Sequence, residues 1–106
     1  MSFIFLIQDY ERAASVLQPT EYPEDFPTLP KLKVLEEQAK LLGDDFKDRF
    51  HRVPQTTTFK DGSNSTGVYQ KKSTLSGQDA TGLNDWSKNT TLMNYLPDAW
   101  NHGAEM

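Results

Sequence analysis

Leu29–Val53 reads LPKLKVLEEQAKLLGDDFKDRFHRV. Apolar side chains recur at Leu32, Leu35, Ala39, Leu42 and Phe46 and again at Val53, with Phe50 beside the stripe. Steps of three and four residues are those of a helix carrying a heptad seam. Opposite charges four apart line the outer face: Lys33 with Glu37, Glu36 with Lys40, Asp45 with Arg49, Asp48 with Arg52. Each such pair contributes only ~0.2–0.5 kcal/mol. Thr28 is a candidate N-cap, and Pro30 is tolerated in a first turn. Gly43 costs ~1 kcal/mol relative to Ala and marks a bend or a close contact. Pro54 ends the run. The reading is one long amphipathic helix over about 29–53, with Leu35, Leu42 and Phe46 buried by this chain or by a partner.

On the N-terminal side, PTEYPEDFPTLP places prolines at 19, 23, 27 and 30. Each fixes its own φ and biases its predecessor toward extended backbone. This is a stiff acidic arm, with Tyr22 and Phe26 set to dock on another surface or to cover the chain's own helix. Before it, DYERAASVLQ reads as a short helix capped by Asp9 and stopped by Pro19. The run FIFLI, Phe3–Ile7, fits a buried strand or the start of that helix; periodicity does not separate the two at this length.

On the C-terminal side, Gln55–Thr81 holds 27 residues, thirteen of them Ser, Thr or Gly and five apolar. TTTFK and VYQKKST are β-prone and flank DGSNSTG, which predicts a hairpin over about 56–74. A lone hairpin is marginal in water. Ordering each backbone costs ~1–2 kcal/mol, and so few apolar groups return little of that, so neighbouring chains are expected to order this tract. The tail from Leu83 turns apolar again, with Trp86 and Trp100. Asn89 or Thr90 caps a short helix through Tyr95, and Pro97 opens a further turn that Gly103 closes. The four segments are therefore 1–30, 31–53, 54–82 and 83–106, forming a single domain at most. The fold class is mainly α with extended irregular arms, a small α+β protein.

Composition narrows the function. Ile, Leu, Val and Phe number 23 of 106 residues, just above the ~20% level associated with disorder. The core is therefore small. The net charge is −4, concentrated in residues 1–30, and no basic stripe marks a nucleic-acid partner. Cysteine is absent, which excludes disulfides and thiolate metal sites. FIFLI is far short of the ~20 residues of a membrane span, and it lacks the flanks of a signal peptide. Synthesis inside the cell is expected, with a virus particle as one destination. Asn64-Ser65-Thr66 and Asn89-Thr90-Thr91 match the glycosylation pattern by chance in a Thr-rich chain.

No constellation names a reaction. His51 suits the C-terminal dipole of the main helix, and His102 lies near the chain end. A metal held by this pair needs a third ligand. Asp44, Asp45 and Asp48 sit among basic residues as a solvated face. DGSNSTG lacks the Lys-Ser/Thr of a phosphate loop and the alternating acids of a calcium loop. No catalytic, cofactor or metal residue is assigned. Trp is over-represented at interface hot spots and is also a natural core filler.

Two readings follow. The first is a non-enzymatic structural subunit that staples or wraps a larger protein assembly; a minor capsid, cement or connector-type virion component is one such case. Its interface residues are Tyr22, Phe26, Leu35, Leu42, Phe46, Phe59, Tyr69, Trp86 and Trp100. Its partners are protein subunits, and the helix seam offers a route to self-association. The second is a small acidic binding module, an inhibitor or adaptor of a host enzyme, folded around the long helix.

Overall fold

The computed structural model describes residues 3–78 and 81–105. Among them are four helices and one two-stranded antiparallel sheet, so the chain is a small α+β protein. Its contacts gather into two units: residues 21–54, and the first twenty residues together with 55–106.

In the 21–54 unit the single helix expected over 29–53 is broken in two. Helix α2 spans Pro30–Leu41 and α3 spans Asp44–Lys47. The break is at Gly43, whose φ of 89° lies in the left-handed region. Glycine populates this region without a Cβ penalty, and it is the usual residue just past a helix end. Asp44 and Asp45 then fill the first turn of α3, where carboxylates face the positive end of the dipole. Leu29, rather than Thr28, occupies the cap position of α2, with Pro30 as its first residue. Beyond α3 the chain leaves the helix, so Asp48 and Arg52 no longer share a helical face. Arg52 instead meets Glu36 at 2.8 Å and donates to the Tyr22 carbonyl at 2.7 Å. The Lys33–Glu37 pair forms as expected, at 4.0 Å.

The proline arm folds onto its own unit. The Tyr22 hydroxyl donates to the Pro27 carbonyl, and the Tyr22 and Phe26 rings meet edge to face at 5.9 Å. Tyr22 is buried, and Phe26, Leu32, Glu36 and Ala39 are half-buried beside it in sequence and along α2.

In the other unit, α1 spans Phe3–Leu17. The run FIFLI is therefore helical, and Asp9 lies inside the helix rather than at its cap. Gln18, at φ 50°, closes α1 by donating its N–H to the Ala14 carbonyl. Thr20 and Gln55 exchange two backbone bonds of 2.8 and 2.9 Å. The hairpin tip falls where the turn residues predict it, with β1 (Gly62–Ser63) against β2 (Tyr69–Gln70) in the register Gly62↔Gln70 and Ser63↔Tyr69. The outer part of the expected hairpin keeps one backbone bond, Ser73 N–H to Thr58 O at 2.9 Å. Thr56–Thr58 also pairs with Ser87–Asn89, through Thr58 N–H to Ser87 O and Asn89 N–H to Thr56 O, both 2.8 Å. Helix α4 spans Tyr95–Asn101 and takes Pro97 into its first turn, and Gly103 at φ 88° closes it.

Candidate protein interface

The polar tract around the hairpin is tied by side chains that bond backbone. Asn64 Oδ1 accepts from the Thr66 and Val68 N–H groups, both at 3.0 Å, which closes the loop between β1 and β2. Its Nδ2 donates to the Met93 carbonyl. Asn89 Nδ2 donates to the carbonyls of Val16 and Leu17 at 3.0 and 2.9 Å. Those are two of the last carbonyls of α1, which have no partner within the helix. Asn94, wholly buried, donates to the Asn89 carbonyl and accepts from Tyr95 N–H. Gln70 Nε2 reaches the Lys88 carbonyl at 3.2 Å. Among the described residues no buried side-chain polar atom is left without a partner. The two glycosylation-like asparagines are thus structural, with Asn89 committed to the end of α1. Beside the expectation that outside chains order this tract stand bonds made within the chain: residues of 55–81 bond partners 11 to 35 residues away, from Asp85 for Thr74 to Asn101 for Thr66.

Asp85 fixes the next turn. Its Oδ1 accepts from Ser87 N–H and Oγ, and its Oδ2 from Thr74 N–H and Oγ1, all within 3.1 Å. Partial burial acts to raise its pKa, but the hydrogen bonds from Ser87 and Thr74 outweigh it and hold the carboxyl at about 2. Trp86 follows at φ 66°, an outlier for a bulky side chain, and stands exposed. It borders a cavity of about 570 Å³ with Lys71, Lys72 and Asn84.

Apolar burial is sparse. Among the described residues only Tyr22, Phe59 and Met93 are buried apolar side chains, while twenty large apolar residues are exposed. Leu35, Leu42, Phe46, Tyr69, Trp86 and Trp100 from the sequence-based interface set are all exposed; Tyr22 and Phe59 are used within the chain, and Phe26 is half-buried. Other large apolar residues outside that set are exposed too: Phe3 (76% exposed), Ile4, Phe5 and Tyr10 on α1, Leu41 (87%) at the end of α2, and Leu92. Pro30, Val34 and Leu35 border an apolar groove on the 21–54 unit with the stem of Lys31.

His51 and His102 are exposed; His51 Nδ1 faces the Arg49 carbonyl and His102 Nδ1 the Asp98 carbonyl. Among the described residues no three His, Asp or Glu side chains could share a metal ion, and no helix is long and apolar enough to cross a membrane. A polar cleft of about 250 Å³ runs between Thr20, Thr57, Lys60 and Asn64. The amides of Asn64, Gln70 and Asn89 at its wall are already bonded within the chain. Comparison with protein-family models, curated proteins and solved structures found no match.

Proposed function

We propose that the chain is a non-enzymatic structural subunit whose apolar surfaces are covered by the protein subunits of a larger assembly; a virion is one such assembly. One observation carries this: among the described residues twenty large apolar side chains are exposed against three buried ones. Monomeric proteins rarely expose contiguous apolar patches beyond a few hundred Å². The polar bonding supports the same reading. It sets the backbone of the tract without using apolar groups, and so leaves them for contact. The binding-module alternative calls for a self-contained core around the main helix, and Leu35, Leu42 and Phe46 stand exposed on that segment.

The test is the mass of the native species. In an extract of its own source, the chain should elute with a particle many times its 12.1 kDa, at a fixed ratio to the other subunits. Elution as a free chain, or in a one-to-one complex with an enzyme, would replace this reading with the binding module.

A further inference from the structure

From the placement of α1 we infer that the helix is a self-association element, its uncovered apolar half packed against the same half of a second copy. Apolar residues fall at Phe3, Leu6, Ile7, Tyr10, Ala13, Ala14 and Leu17. That is the i, i+3, i+4, i+7 repeat of a helix packed in a bundle. The stripe is used at one end only. Ala13, Val16 and Leu17 are half-buried, and Asn89 holds the last carbonyls. From Phe3 to Arg12 every residue is exposed. The anchored end thus projects a helical tip of ten residues, ~15 Å long.

The area of that uncovered half fits a weak pairing. The exposed fractions of Phe3, Leu6, Ile7 and Tyr10 amount to roughly 450 Å², at about 200 Å² per large side chain. Two copies then bury ~900 Å², the size of a weak, concentration-dependent interface. The first charge after Phe3 is Asp9, so two tips meet without like-charge repulsion. A bilayer fits less well. A helix lying in a membrane surface carries Lys and Arg on its polar face, and Arg12 is the one basic residue in α1. The inference stands on α1 alone, whether or not the chain joins a larger particle.

Sedimentation equilibrium of the full chain over a dilution series tests it. The expected result is a dimer or larger species at high concentration. It should fall to 12.1 kDa in Leu6→Glu/Ile7→Glu, with the circular dichroism retained, and persist in the α2 variant Leu41→Glu. Phe3→Glu, at the helix end, is the second variant should the double change disturb folding. A wild-type chain that is monomeric throughout overturns the inference. So does an oligomer that survives the α1 changes or dissociates with Leu41→Glu. Uptake of a monomeric chain by neutral phosphatidylcholine vesicles would overturn it as well, assigning the helix to a bilayer.

Discussion

Asp85 takes four hydrogen bonds on two oxygens, so its neutral isostere cannot replace it. In Asp85→Asn one oxygen becomes an NH₂ and faces either the Thr74 pair or the Ser87 pair with a donor against donors. Ser87 is wholly buried, and a buried group left unpaired costs ~1–3 kcal/mol. Urea denaturation of Asp85→Asn should show a loss of that order. The same site sets an acid response. Its carboxyl titrates at 3.8 when unperturbed and at about 2 here, so the folded form binds fewer protons between these values. The stabilisation is complete above about pH 4 and disappears as the pH falls toward 2. The wild-type chain should lose stability across that window, and Asp85→Asn should lack this component. None of this is legible in the local sequence. The partner Thr74 lies eleven residues from Asp85. Asn89 is harder still: its bonds reach back more than seventy residues, and short-range spacing carries no trace of them.

At the level of elements, the sequence pattern located the helices better than their ends. The stripe through Leu32, Leu35 and Ala39 does lie on a helix, with Leu42 at its C-cap, and the hairpin turn lies at Asn64–Gly67. The continuation to Val53 fails because heptad spacing is blind to the backbone. Phe46 keeps the period, but Gly43 takes a positive φ and breaks the helix. Helix α1 was obscured for the opposite reason: five consecutive apolar residues hide a period of 3.6 that resumes at Tyr10 and Ala13. Two substitutions probe this level. Gly43→Ala meets open space around its new Cβ yet must adopt a φ of 89°, which costs an L-residue ~1–2 kcal/mol. Urea midpoints should fall accordingly with helicity unchanged; a gain in helicity would mean that α2 and α3 fuse into the single helix the heptads suggest. Leu42→Ala in the isolated chain should change stability by less than ~0.5 kcal/mol, the range of surface substitutions. A loss of ~2–5 kcal/mol, that of a buried leucine, would show Leu42 to be covered in the free chain.

Across the whole molecule, polar and apolar residues divide the work unusually. Asparagine, aspartate and threonine side chains hold the irregular backbone of 55–94, while large apolar side chains remain at the surface of both units. A low aliphatic content foretold the small core. It did not foretell that the polar tract would find its partners inside the chain, because side-chain-to-backbone bonding depends on which distant segments meet. In the proposed functional state the exposed apolar residues are covered by protein. Hydroxyl-radical footprinting of the purified chain and of the chain within its native particle compares that exposure residue by residue. Leu41, Leu92, Trp86 and Trp100 should react readily in the free chain, and most of them should be strongly protected in the particle, while Tyr22 and Phe59 stay protected in both. Equal reactivity of the four in the two samples would contradict the claim.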